Sequence, residues 1–362
     1  MLTDPEIADN AADEAPDKVR EPRPVEYSAD FLADVIGQSA YAGQRMQAGP
    51  VLKMMYSTAV SVALRHSGFR SVLLGIDRID LANRICHMDL VRLEGKVIEV
   101  GRSSMVIEVA CFAKAPTERE ITQTHVGFVK MVAVDDRGNP LRPIPGLDYN
   151  SPMGAEAKAL AAHRRAQLAE RQQALEWIEA KEEFKVSEVI ESEPTVRYEY
   201  LRPRDTIVNV KSQIISQGVH RDGRVAGGDF LVWLDRIATY TASQFTRNAH
   251  VITLALNDIL FKRPLHATDR IELTSRVILV RAHTLEVSIE VTVHTLEGDR
   301  YALDSVDFLI INFHPSGAKK KITTGLLLDD ADQESLKRYI RARTRYSFWK
   351  SNPESHLTQT PS

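Results

Sequence analysis

Apolar residues along this chain recur in two blocks of the same design: a stretch with helical spacing, then four runs in which apolar and polar positions alternate. In the second block, Gly227 to Arg247 sets Phe230, Leu231, Leu234, Ile237, Ala238 and Phe245 along one broad stripe, the i, i+3, i+4, i+7 spacing of an amphipathic helix. The period-two alternation after it predicts strands over 250–261, 270–281, 284–295 and 300–314. In the first block the same reading predicts a helix over 49–66 and strands over 71–81, 90–101, 104–114 and 122–135. Neighbouring strands meet at Gly101-Arg102-Ser103 and Arg281-Ala282-His283, turns short enough to require antiparallel hairpins.

The blocks are in register. DLVRLEGKVIEVGRSSMVIEV, Asp89 to Val109, aligns without a gap with DRIELTSRVILVRAHTLEVSI, Asp269 to Ile289, an offset of 180 residues. Val97 meets Val277, Val100 meets Val280, Ser104 meets Thr284 and Ile107 meets Val287, and the same offset pairs Ile79 with Ile259 and Phe128 with Phe308. A shift that holds over successive strands marks an internal repeat. One helix followed by an antiparallel meander gives a sheet curled around a helix, so the fold class is α+β, built twice. The layout is a tail over 1–25, a first repeat over 26–150, a helical linker over 151–190, a second repeat over 191–318, and a closing helix and tail over 319–362. The linker, Gly154 to Lys185, is rich in Ala, Glu, Gln and Arg with few large apolar residues, which predicts a helix lying on the surface. The closing helix, Asp332 to Trp349, carries Arg341, Arg343 and Arg345 near its end; with Lys350 they read as a solvated face.

Composition narrows the function classes. The 362 residues are 43% apolar and 26% charged with a net charge of -3, which fits a globular protein with sizeable cores and weighs against a nucleic-acid or membrane-surface binder. No run approaches the roughly 18 apolar residues of a membrane span, and the acidic, Pro-containing start lacks the pattern of a secretory signal. A cytoplasmic protein without membrane insertion is the expectation. Cys86 and Cys111 have no metal-ligand spacing and sit in apolar strands, so they read as reduced core residues; no metal or cofactor is expected.

Asp235 is the residue that carries chemistry. Its neighbours at i−4, i+3 and i+7 are Leu231, Ala238 and Ala242, so an acid stands near the centre of an apolar face, where an ionised carboxylate is expensive to bury. Two readings stay open: an acid at the stripe's edge paired with Arg236 or Arg247, or a carboxylate tuned to orient or activate water. Gly227 and Gly228 open the same helix, where backbone N–H groups lack partners. They either permit tight packing or let a carbonyl approach closely enough to be polarised.

HRDGRVAGGDFLVWLD, His220 to Asp235, resembles the loop and helix start of the hot-dog-fold acyl-CoA thioesterases, whose pattern runs Asn-x-x-Gly-x-x-x-Gly-Gly with an acid further along the helix. Gly223, Gly227, Gly228 and Asp235 fall in register, and LNDILFKRPLHATDRIEL continues the likeness through Asn257, Phe261, Pro264 and Asp269. The first-repeat hairpin and FVKMVAVDDRGNPLRPIP are similar to the same family, so the resemblance covers about 26–150 and 195–318. It implies two hot-dog domains, each a long helix wrapped by a curved antiparallel sheet, packed sheet to sheet as an intrachain pseudo-dimer with thioester sites between them. It further implies an acyl-CoA substrate hydrolysed to free acid and CoA, and association of such chains into homo-oligomers.

Residue by residue, the family's loop Asn is His220 in the second repeat and Tyr41 or Ala40 in the first, and the first helix has Met55 or Tyr56 where the acid belongs. The resemblance therefore implies one competent site per chain. In it Asp235 acts on water, Tyr41, Gln44 or Gln47 holds water or carbonyl, and Gly228, with Gly227 beside it, contributes backbone donors. His220 belongs to a second, degenerate site. The turn residues Arg102, Ser103, Ser104, Arg281, His283 and Thr284 resemble the family's pantetheine and phosphate contacts. A non-catalytic acyl-CoA-binding or assembly protein is the alternative, and a hot-dog dehydratase a lower one.

Overall fold

A computed structural model describes residues 21–35, 41–42, 45–81, 83–190, 195–213, 223–257, 259–261 and 263–351. In the first repeat β1 (Asp30–Val35) precedes helix α1 (Ala48–Ser67), and β2 (Ser71–Ile76), β3 (Ile79–Asp80), β4 (Leu90–Val100), β5 (Ser104–Lys114) and β6 (Thr122–Ala133) follow. Helix α2 (Pro152–Ala180) leads to the second repeat. There β7 (Val208–Gln213) and α3 (Gly227–Thr246) are followed by β8 (Val251–Leu256), β9 (Ile259–Leu260), β10 (Arg270–Val280), β11 (Thr284–His294) and β12 (Val306–Asn312), and α4 (Gln333–Ser351) comes last. None of the described helices is long and apolar enough to cross a membrane.

Each repeat is a hot-dog unit, and the pair forms an intrachain pseudo-dimer. The sheets meet edge to edge rather than face to face, giving one 13-stranded sheet among the described residues with a central path β7-β10-β11-β12-β8-β3-β6-β5-β4-β1. The junction explains why the runs expected as single strands at 71–81 and 250–261 are each split in two. Register shifts at Leu73/Gly75 and Thr253/Ala255 bend the strands. Each then crosses to the other repeat, pairing Leu256 with Ile79 and Ile259 with Ile76. The repeat extends to detail: β4 and β10 are bulged at the same place, Val97/Glu99 and Val277/Leu279. Asp89 and Asp269 each accept a backbone N–H three residues back, from Cys86 at 2.7 Å and His266 at 2.8 Å.

One face of the sheet carries α1 and α3, which share a single core. Leu52, Met55, Ala59 and Val62 pack with Leu231, Leu234, Ala238 and Ala242 in one cluster. Neither repeat closes its core alone. The other face is covered by α2 and α4. Helix α2 lies on β4 through Ala157 and Ala161 against Ile98, small residues that account for its weak apolar stripe. Its Arg164 enters the sheet junction, donating to Asp77 at 2.5 Å. Two of the C-terminal cations do not form the solvated face expected of them: Arg345 pairs with the buried Glu286 and with Asp307, and Arg343 donates to the Val189 carbonyl; the Lys350 side chain lies outside the described residues. Through Asn257, which also accepts from Arg78 at 2.6 Å, this network ties α4 to both repeats. The expected N-terminal tail is structured from Arg23, where Arg23–Pro24 pairs with Leu147–Asp148 and Val25 is fully buried. Cys111 is a core residue whose thiol desolvation pushes up to about 11, whereas Cys86 is only half-buried.

Gly75 stands at the tightest point of the junction, where a Cβ would come 2.5 Å from the Ile259 carbonyl oxygen. Gly75→Val is expected to lower stability by about 2 kcal/mol, an overpacking penalty. Gly146→Ala, whose Cβ would meet nothing within 4 Å, should leave the midpoint of urea unfolding unchanged.

Candidate active site

Helix α1 begins after Gln47 without a side-chain cap of its own. Its first turn contains Pro50, which has no N–H to satisfy, and Gly49, whose N–H is one of the helix's orphan donors. That donor is satisfied from the other repeat: Asp235 Oδ2 accepts from Gly49 N at 2.9 Å, and Asp235 Oδ1 accepts from Thr253 Oγ1 at 2.6 Å. Asp235 is 1% exposed. Burial pushes its carboxyl above the ordinary aspartate value, with the Thr253 and Gly49 hydrogen bonds pulling the other way. The acid of α3 therefore caps α1 across the pseudo-dimer, which favours its ionised form at the positive end of that helix. Glycine at 49 makes room, because a Cβ there would lie 3.1 Å from Val232 Cα and 3.3 Å from Asp235 Oδ2.

A narrow cleft of about 50 Å³ adjoins this pair, with Gln47, Ala48, Asn83, His125 and Thr253 among its walls. It shares Arg45, Arg84, Ile252 and Phe313 with a wider cleft of about 320 Å³ that adds His250 and His314. The Arg45 guanidinium lies 4.2 Å over the Phe313 ring. Desolvation and the neighbouring Arg84 charge both lower its proton affinity, so an anion between the two arginines would relieve their repulsion. His125 is buried, with its Nδ1 unpaired, and burial pushes it down to about 4, so it is a neutral imidazole.

The repeat places a second cleft at the corresponding position. The 180-residue offset puts Met55 where Asp235 stands and Leu73 where Thr253 stands. Tyr56 is buried there, and burial pushes its phenol above the ordinary tyrosine value, while Lys53 pairs with Asp229 at 2.6 Å. A Cβ on Gly228 would come 2.8 Å from the Tyr56 ring, so the glycine pair allows α1 and α3 to touch. Gly227 thus lines the acid-free cleft, with Gly228 beside it against Tyr56, about two turns along α3 from Asp235. The backbone donor on the acid is Gly49 instead.

Of the residues singled out from sequence, Gln47 lines the cleft together with Thr253, the hydrogen-bond partner of Asp235; Asp235 itself is not among its walls. Gln44 and His220 lie outside the described residues, as does the side chain of Tyr41, whose backbone pairs with Met46. The hairpin turns are not among the residues lining either cleft on the Asp235 side. Backbone carbonyls of Arg102, Ser103 and His283 accept from Ile144, Ala133 and Asn312. The Arg281 guanidinium lies 3.6 Å over the Tyr346 ring of α4, and Ser104 and Thr284 open β5 and β11. Sequence reasoning missed Gly49, Thr253, His125, Arg45 and Arg84. For Thr253 the available signal was a hydroxyl facing inward in VITLAL; for Gly49, a Gly-Pro pair at a helix start.

A model of the thioesterase superfamily matches residues 222–296. An uncharacterized acyl-CoA thioester hydrolase of Zymomonas mobilis is 31% identical over 104 residues, covering 29% of this chain and 70% of that protein. Mouse acetyl-coenzyme A thioesterase is 22% identical over 332 residues, covering 90% of this chain and 58% of its own length. Mouse acyl-coenzyme A thioesterase 11 is 23% identical over 255 residues, covering 69% and 41%. The chain thus spans about half the length of the two mouse relatives.

An acid whose folded pKa is raised binds its proton more tightly folded than unfolded, so its contribution to stability is greatest at low pH and is lost as pH rises through the raised value. Asp235→Asn removes that loss, since an amide can accept from Gly49 and donate to Thr253. Its melting temperature should equal or exceed the native value near neutral pH, with the difference growing as pH rises. A deficit of the same size at every pH would contradict the buried-carboxylate account.

Proposed function

Because the chain belongs to the tandem hot-dog thioesterases, we propose that it hydrolyses an acyl-CoA to the free acid and CoA at one site per chain, with Asp235 activating the water. The observation that carries this reading is the buried Asp235 carboxylate held at the start of α1 by Gly49 and Thr253. A raised pKa makes it a stronger base than an exposed aspartate, and in this reading the positive end of α1 stabilises the charge that the thioester oxygen gains. Water loses a proton to Asp235 as its oxygen bonds the carbonyl carbon. The C–S bond then breaks, and the proton returns to the departing thiolate. Gln47 lines the cleft, and its amide is the proposed group that holds water or carbonyl. The start of α1 takes the role that sequence assigned to Gly228.

Arg45 and Arg84 are the proposed contacts for the CoA phosphates, and the hairpin residues Arg102 and Arg281 are the competing assignment. Assembly of these chains into a cytoplasmic homo-oligomer belongs to the same proposal, and light scattering after size exclusion checks it. One observation favours an acyl-CoA-binding protein without turnover: both Asp235 oxygens are already engaged.

Free thiol released from a panel of acyl-CoAs separates these readings. Native protein should release thiol, and Asp235→Asn should lower kcat by about a hundredfold or more, the scale of a lost general base. Binding without thiol release would establish the alternative. The acid limb of kcat should lie above the ordinary aspartate range, since the base must be ionised. Arg84→Glu should raise KM by about tenfold, a loss of about 1.4 kcal/mol, with kcat little changed. A larger KM effect from Arg102→Ala would return the phosphate site to the hairpin turn.

A further inference from the structure

The two sides related by the repeat differ in their chemistry and in how their space is divided. Ile252, Thr253 and Leu254 on the Asp235 side correspond to Val72, Leu73 and Leu74 on the other, and Gln47 and Ile85 correspond to Gly227 and Leu265. On the Asp235 side a cleft of about 50 Å³ shares walls with one of about 320 Å³, whereas on the acid-free side a single cleft of about 260 Å³ spans the matching positions. The acid-free one has lost the elements of the reaction: Met55 replaces the acid, Leu73 replaces the hydroxyl, and the buried Tyr56 ring lies against Gly227 and Gly228. What remains is a binding surface. Leu73, Val132, Val134, Phe230 and Leu265 make an apolar interior, and Phe230 meets Phe261 edge to face at 5.8 Å, which stiffens one wall.

Two guanidinium groups line the same cleft. Arg263 is exposed and stacks over the Tyr301 ring at 5.1 Å. Arg224, from the second repeat, donates to the Arg137 carbonyl of the first at 3.4 Å and lies directly against Gly138, where a Cβ would collide with it. An apolar interior with arginine forks at its opening matches a chain ending in a carboxylate. We propose that this cleft is a second, non-hydrolytic ligand site for an aliphatic carboxylate, its chain against Leu73, Val132 and Phe230 and its head on Arg224 and Arg263. The thioesterase reading enters only in making such a ligand the same class as the reaction product; binding does not depend on it.

Isothermal titration of the full chain with octanoate, octanol and CoA tests the site. Octanoate should bind at about one per chain to both native protein and Asp235→Asn. It should be lost in Val132→Trp, which fills the cleft, and weakened by about tenfold in the exposed Arg263→Glu, with octanol affinity unchanged in the latter. If Val132→Trp fails to fold by circular dichroism, the Arg263→Glu comparison decides. Octanoate binding that neither variant changes, or binding of CoA but not octanoate, would overturn the proposal. No step requires turnover, so a chain that releases no thiol yet binds octanoate here loses the thioesterase reading and keeps this one.

Discussion

A carboxylate with 1% of its surface exposed has to be neutralised or fully hydrogen-bonded, and Asp235 meets that demand with groups from both repeats. Gly49 N–H comes from the start of α1 and Thr253 Oγ1 from β8. The bond to Gly49 does two jobs with one atom pair. It satisfies an orphan donor of one helix and it fixes the acid of the other, so the geometry of the candidate site and the packing of the halves are the same fact. Only glycine at 49 lets the helices come that close.

The rest of the architecture keeps that crossing in place. The continuous sheet pairs Ile79 with Leu256 and Ile76 with Ile259, so the repeats cannot slide without breaking backbone hydrogen bonds. On the far face, α2 and α4 each drive an arginine into the junction, Arg164 onto Asp77 and Arg345 onto Glu286. Asp77 and Asn257 occupy matching positions in the two repeats, yet one is met directly by its arginine and the other relays through Glu286. Breaking such buried pairs by removing one partner is costly even where the pair itself contributes little. Duplication within one chain has let the two sides diverge: one keeps the acid with its polar partners, the other an apolar cleft and no acid.

Much of the fold was legible in the pattern of the chain. The helices at 49–66 and 227–247 and the hairpins at 101 and 281 fall within a residue or two of the observed elements, because buried faces impose their period on the sequence. The split of β2 from β3 and of β8 from β9 was not legible. Alternation continues across the break while the pairing partner changes, and periodicity reports burial rather than partners. Asp235 stood out because an acid on an apolar stripe violates the pattern. Its partners did not, since a backbone N–H has no side-chain signature and Thr253 reads as an ordinary strand residue. Gly227 and Gly228 looked like part of the same site, but seven residues along a helix separate an acid from the donors at that helix's own start. The donors come instead from the helix opposite, a relation that no single segment of sequence encodes.

A crystal structure of the native chain soaked with CoA tests the central claim most directly. The CoA thiol is expected beside Asp235, between Gln47 and Thr253, with the phosphates on Arg45 and Arg84. A CoA thiol lying instead against Tyr56 and Gly227, with the Asp235 side unoccupied, would contradict it.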